Sequence, residues 1–349
     1  MEMKLRGLYE MYGYYPFKMS KFEEYNFYSR NKGILVSEGV ITFTDTTGKL
    51  MALKPDVTLS IVKNYRNGTE GVQRLYYNEN VYRISDKTHS YKEINQMGLE
   101  CMGDITEYNI YEVVRLAAMS LSMLSEGSVL NISNLDVLSA ILKGMEPGQW
   151  QKQLLSCIGD KNPHGVKRIC EEKGVDSEHT ELLMFLTKAY GTCHDIVSQI
   201  KGKTDNTEIL RALEQLENIV EAADDVPGVK LYVDMSLIKD AEYYNGVVFQ
   251  GFIKGVPSGV LSGGQYDCLM KKMDKDAKAI GFAVYLDLLQ RLSTERKYDT
   301  DVLLIYGHND DYGQVLKRAV KIAESGRTVS AQTCVPDRMS YEEIIKFED

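Results

Sequence analysis

Apolar and polar positions change rhythm several times along the chain. "VITFTDTTGKLMAL" (40–53) alternates on either side of Thr47-Gly48, which predicts two strands around a turn. After Pro55, Val57, Ile61, Val62 and Tyr65 recur at helical spacing, and the run ends in Asn67-Gly68. "QRLYYNENVYRI" and "EINQMGLECMGD" read as a strand pair separated by a polar loop. "TEYNIYEVVRLAAMSLSMLSEG" (106–127) predicts an amphipathic helix with Thr106 as cap and Gly127 as stop. From about 145 to 226 the chain becomes a series of short helical units with polar linkers and almost no strand signal. Strand patterns return in "VKLYVDMSLI" and "GVVFQGFIKGV". The last 50 or so residues predict a strand, a helix, a second strand and a short helical end, about one βαβ unit. Strand-rich halves around a helical insert predict an α+β fold with a mixed or antiparallel sheet.

One strand raises a chemical question. In "INQMGLEC" (94–101) side chains alternate faces, so Gln96, Gly98 and Glu100 share one side while Asn95, Met97, Leu99 and Cys101 share the other. The second face predicts core. The first is an amide and a carboxylate about 13 Å apart with a bare glycine between them, a face that is either solvated or built to grip a small ligand lying over Gly98. Asp56 and Thr58 follow Pro55 at a rigid strand-to-helix junction. Tyr243 and Tyr244 precede a strand, where alternation predicts that one of the two faces any given side. "GVLSGGQYD" lacks the GxxxxGK[ST] pattern of a phosphate loop, and its glycine pair predicts a turn or a close backbone approach.

Bulk properties narrow the choices. The 349 residues are 44% hydrophobic and 26% charged, a globular composition. A formal charge of −9 argues against an extended nucleic-acid surface, which needs clustered cations. Six scattered cysteines form no CxxC pair, and the adjacent Cys193-His194 is a poor start for a tetrahedral site, so neither disulfides nor a metal is expected. The N-terminal stretch is charged throughout and no run reaches the ~18 apolar residues of a membrane span, so a cytoplasmic protein is expected.

The segments "LKPDVT", "RLYYNENVYR…YKEINQMGLE", "EYYNGVVF", "SGGQYD" and "GFAVYLDLLQRL", in this order, resemble the catalytic core of histidyl-tRNA synthetase and of its paralogue, the regulatory subunit of ATP phosphoribosyltransferase. The resemblance covers residues 5 to 295. It implies a class II synthetase core, residues 1–144 and 227–296, with a six- or seven-stranded, mainly antiparallel sheet and a homodimer formed through its first motif. Residues 145–226 would be the helical insertion, and 297–349 a truncated anticodon-binding-like α/β segment. The same resemblance implies a histidine pocket: Asp56, with Thr58 beside it, and Gln96 for the ammonium, Glu100 for the imidazole, and Tyr243 and Tyr244 closing over the ring. That assignment suits the chemistry, since an ammonium wants carboxylate and amide oxygens and an imidazole N–H wants a carboxylate or hydroxyl.

On the nucleotide side the pattern departs from the synthetase. Arg83 matches an expected arginine, but Ser85 stands where an acidic residue belongs, and Lys239, Gln265 and Leu288 stand where arginines belong; Arg291 lies three residues beyond Leu288. Ser20 replaces a usual proline of the first motif. Losing two charge-assisted contacts of ~2 kcal/mol each weakens nucleotide binding by about 4 kcal/mol, roughly a thousandfold. The resemblance therefore implies a catalytically silent, cofactor-free subunit that binds L-histidine. Its partner would be the short-form ATP phosphoribosyltransferase, commonly in a hetero-octamer, and tRNA recognition is not expected. Two alternatives stand beside it: a diverged synthetase that still adenylates histidine, and a histidine-binding module with an unrelated partner.

Overall fold

The computed structural model describes residues 2–30, 39–85, 89–238, 243–289 and 298–347. The chain opens with α1 (Glu2–Met11), β1 (Tyr15–Pro16), β2 (Phe22–Glu24) and α2 (Tyr25–Arg30). The hairpin β3 (Thr42–Thr44) and β4 (Leu50–Leu53) follows, then α3 (Val57–Asn64) and the long strands β5 (Val72–Ile84) and β6 (Tyr91–Gly103). Next come α4 (Glu107–Leu124), β7 (Ser128–Asn134) and α5 (Leu135–Leu142). The helical stretch contains α6 (Gln149–Gly159), α7 (Pro163–Lys173), α8 (Ser177–Leu186), a short β8 (Tyr190–Gly191), α9 (Cys193–Lys201) and α10 (Thr207–Ala223). The chain returns through β9 (Val229–Asp234), β10 (Asn245–Phe252), β11 (Leu261–Gln265), α11 (Asp267–Lys272), β12 (Lys278–Tyr285) and α12 (Leu286–Leu289). It ends with β13 (Thr300–Ile305), α13 (Tyr312–Glu324), β14 (Val329–Gln332) and β15 (Tyr341–Lys346).

Residues 1–289 and 290–349 form two compact units. In the first, the described residues build one nine-stranded sheet in the order β1-β5-β6-β12-β11-β10-β7-β9-β8. Its centre, from β5 to β7, is antiparallel throughout, while β1 pairs with β5 and β9 with β7 in parallel. The sheet thus exceeds the six or seven strands expected, because short β1 and β8 extend its edges and the "helical" stretch contributes β8. Helices α6–α10 lie within this first unit, with α10 packed on α4 and α5. The second unit is a three-stranded parallel sheet in the order β14-β13-β15 with α13 as its helix. Its final segment is a strand and not the expected short helix, because 341–346 pairs along β13. Among the described residues, no helix is long and apolar enough to cross a membrane.

The two faces of β6 have different covers. Leu99 pairs across the sheet with Phe282, whose ring meets Tyr9 of α1 edge-on at 6.0 Å; the Tyr9 hydroxyl bonds with Ser120 of α4 at 3.1 Å. Helices α1 and α4 therefore seal the Leu99 face. Gln96, Gly98 and Glu100 point the other way, towards α3 and α11, and are buried too. The solvated-face reading of that side fails, since Gln96 is 3% and Glu100 2% exposed.

Candidate functional site

Register decides what surrounds Glu100. It pairs with Gly281 of β12 and Leu75 of β5, while Gly98 pairs with Tyr77 and Ala283, and Gln96 with Glu79 and Tyr285. Directly opposed residues share a face, so β5, β6 and β12 together form one floor. Beyond Ala283 the floor continues to Ser262 of β11. The glycines are there for room. A Cβ on Gly281 would lie 1.8 Å from Glu100 Oε2, and one on Gly98 would lie 2.5 Å from the Tyr77 hydroxyl. The carboxylate thus folds over Gly281 and the phenol over Gly98. Tyr77 occupies the space over Gly98 where a ligand was expected to lie, and becomes a wall of the pocket instead.

The roof comes from helix capping and from a turn. Asp56 caps α3, its Oδ1 accepting from the Leu59 N–H at 2.8 Å, as a residue before a helix start should. Its other oxygen lies 3.9 Å from the Arg83 guanidinium, and Arg83 Nε donates to the Pro55 carbonyl at 2.9 Å. Arg83 so fastens the 55–56 corner to β5. Behind this corner, fully buried Lys54 pairs with Glu79 of β5 at 2.8 Å. Tyr243 and Tyr244 both line the pocket, rings at 69° with centroids 4.7 Å apart. The expectation that one of them would face it assumed strand alternation, but both precede β10 in a turn.

Glu100 receives two hydroxyl donors: Thr58 to Oε1 at 2.7 Å and Tyr266 to Oε2 at 2.6 Å. Burial still dominates its titration, lifting the carboxyl to about 8 against the pull of those hydrogen bonds, with Asp56 adding repulsion. Burial also raises Asp56, opposed by Arg83 and by the N–H donors of the helix start. The phenols of Tyr77, Tyr243 and Tyr266 are pushed well above their ordinary value by burial, so all three stay protonated donors. Gln96 Nε2 has no partner among the described residues. Rotating the amide presents its oxygen instead, so this buried group can meet either a carboxylate or an ammonium. The cavity volume is about 50 Å³.

Six residues singled out in the sequence, Asp56, Thr58, Gln96, Glu100, Tyr243 and Tyr244, line this one pocket, and Arg83 joins them. Ser85 does not; it sits past the end of β5, where its N–H bonds to the Ser90 carbonyl at 2.9 Å. Leu288 is half-buried in α12 and does not line the pocket. Gln265 is structural: its Oε1 accepts from the Val247 N–H at 2.9 Å where the β10–β11 register shifts. Lys239 lies outside the described residues, as does Arg291. Sequence reasoning missed Tyr77, Tyr266, Ser262 and Tyr285 as lining residues. Tyr266 of "GGQYD" follows β11 as the cap residue of α11, and its contact with Glu100 comes from long-range packing that no local pattern reports.

Residues 1–289 match the family model described as histidyl-tRNA synthetase. The chain belongs to the histidyl-tRNA synthetase family. Within the family, similar proteins bear the name ATP phosphoribosyltransferase regulatory subunit. One from Caldanaerobacter subterraneus is 28% identical over 360 residues, covering 99% of this chain and 93% of the relative. Another, from Desulfitobacterium hafniense, is 28% identical over 292 residues, covering 82% and 75%. Among solved structures, an ATP phosphoribosyltransferase regulatory subunit/histidyl-tRNA synthetase from Bacillus halodurans superposes with a TM-score of 0.73 at 23% identity, covering 98% of this chain and 92% of that one. A chain of the ATP phosphoribosyl transferase (HisG:HisZ) complex from Thermotoga maritima gives a TM-score of 0.64 at 20% identity, covering 81% and 95%. At these identities the structures establish the fold, the class II synthetase-like α+β architecture of the family.

Proposed function

We propose that this chain is a non-catalytic, cytoplasmic regulatory subunit of ATP phosphoribosyltransferase that binds free histidine in the pocket under Tyr243 and Tyr244. The names of its relatives support the partnership. The binding rests on one observation: a buried acid, Glu100, and a buried amide with an unmet N–H, Gln96, share a pocket in which Arg83 is the one cationic side chain among the described residues. A zwitterionic amino acid with a hydrogen-bonding ring matches that set. Its ring N–H goes to Glu100, its ammonium to Asp56 and, with the amide turned over, to the Gln96 oxygen, and its carboxylate to Arg83. A triphosphate does not match it. Among the described residues, Leu288 donates nothing and Gln265 is already bonded to the backbone, which leaves Arg83 as the pocket's cationic donor for the charge that develops in adenylation.

Regulation then follows from linkage: histidine that binds one state of the assembly more tightly than another shifts the populations by that difference. The assembly is a homodimer of this chain joined to the short catalytic subunit, in a hetero-octamer, with the phosphoribosyl transfer carried out by the partner.

One preparation tests all of this. Histidine is titrated calorimetrically, histidine-dependent pyrophosphate exchange is assayed, and the short subunit is added to look for reconstituted phosphoribosyltransferase activity. Binding without exchange, together with reconstitution, is the expected result. Exchange above background would make the chain an adenylating enzyme and end this reading.

A further inference from the structure

The pocket floor is open only in part. Tyr77 covers Gly98, Glu100 covers Gly281, and the Tyr244 ring lies 3.0 Å from where a Cβ on Gly264 would be. Uncovered floor remains around Ala283, between Gln96 and Ser262. Tyr285 stands at its end. It is opposite Gln96 on one side, and its main-chain N–H bonds to the Val260 carbonyl at 2.8 Å on the other, so Ser262 is its diagonal neighbour one pleat lower. The Tyr285 hydroxyl and Ser262 Oγ hydrogen-bond at 2.7 Å. The phenol therefore leans back over the floor and is held there from β11. Diagonal pairs of this kind are within reach of aromatic side chains.

We propose that Tyr285, latched by Ser262, is the residue that sets the length of the ligand: it ends the pocket beside Gln96, so that a free amino acid fits and one whose carboxyl carries a large substituent does not. The inference rests on the histidine-pocket reading above, which places the ligand's charged end at Gln96 and Arg83. With the ring held at Glu100, any group joined to the carboxyl runs into the Tyr285 phenol. Selection of this sort works by exclusion, through a clash built against the longer ligand. Tyr285 touches the ligand's boundary and carries no chemistry.

The probes are L-histidine and 5′-O-[N-(L-histidyl)sulfamoyl]adenosine, a stable mimic of histidyl-adenylate, each titrated against the full-length chain. The wild type should bind histidine and bind the mimic at least about a hundredfold more weakly, a ratio within the range that steric exclusion and unpaired groups produce. Tyr285→Ala should strengthen mimic binding by about tenfold or more relative to histidine binding, so the ratio of the two affinities is the readout. If Tyr285→Ala fails to fold, Tyr285→Phe keeps the ring but removes the latch and should give a smaller gain for the mimic. Equal binding of both probes by the wild type overturns the proposal, and so does the absence of any gain in whichever variant folds. Should the wild type bind neither probe, the histidine reading fails, yet a gain of mimic binding in the variant still establishes Tyr285 as the stop.

Discussion

Thr58 donates its hydroxyl to Glu100 at 2.7 Å, joining the first turn of α3 to the centre of the sheet across 42 positions of sequence. The bond fixes one oxygen of the buried acid while Tyr266 fixes the other. Replacing Glu100 with Gln keeps the volume but exchanges one accepting oxygen for an N–H donor, which the ligand's N–H and the hydroxyls of Thr58 and Tyr266 cannot all satisfy. Since an unpaired buried donor costs about 1–3 kcal/mol, Glu100→Gln should weaken histidine binding by roughly ten- to a hundredfold, and Glu100→Ala by more. Calorimetry with histidine, alongside circular dichroism to confirm the fold, decides the matter. Unchanged affinity in a folded variant means that the ligand does not use Glu100.

The same acid predicts an unusual pH dependence. Its carboxyl rises from 4.5 to about 8 on folding, chiefly through burial. Between those values the folded protein holds a proton that the unfolded chain has lost, so this stabilisation is full below the lower value and fades through the upper one. Apo-protein stability should fall as pH rises from about 5 to 8, by at most about 1.4 kcal/mol per pH unit from this group. Urea midpoints measured across that range should slope downward in the wild type and flatten in Glu100→Gln. Parallel slopes in the two proteins would assign the effect to other groups.

Gly281 carries a steric prediction. An added methyl would meet Glu100 Oε2 at 1.8 Å and the Leu99 carbonyl oxygen at 2.5 Å, and the second is backbone that cannot swing aside. Gly281→Ala should destabilise the protein by about 1–3 kcal/mol and displace the carboxylate, so that histidine binding is lost even at temperatures where the variant is folded. Melting temperature and histidine titration on one sample check both halves.

Gln265 separates a structural role from a nucleotide role. Its side chain meets the Val247 N–H at the irregularity where β10 leaves the turn of Tyr243 and Tyr244. Gln265→Ala leaves that buried donor unpaired and should cost about 1–3 kcal/mol in chemical denaturation, with histidine affinity changed little. A large loss of ligand affinity with unaltered stability would point to direct contact with the ligand.

Much of this site was legible in the residues, and the reasons for success and failure differ. Alternation in "INQMGLEC" put Gln96, Gly98 and Glu100 on one side because strand geometry is local. That side proved buried, since β6 runs through the middle of the sheet with helices over both faces, and no local pattern reports how many strands lie to either side. Tyr77 and Tyr285 entered the pocket through their pairing with Gly98 and Gln96, which is set by long-range register. The segment 341–346 reads as helix in isolation, and its strand state comes from parallel pairing with β13.

Gly98 and Gly281 are bare backbone bonded to strands on both sides, so the base of the chamber is as stiff as the sheet itself. An occupant cannot push that base aside. Any change that an occupant imposes falls on the roof instead, where Arg83 ties the corner at Pro55 to β5 and the rings of Tyr243 and Tyr244 meet edge-on.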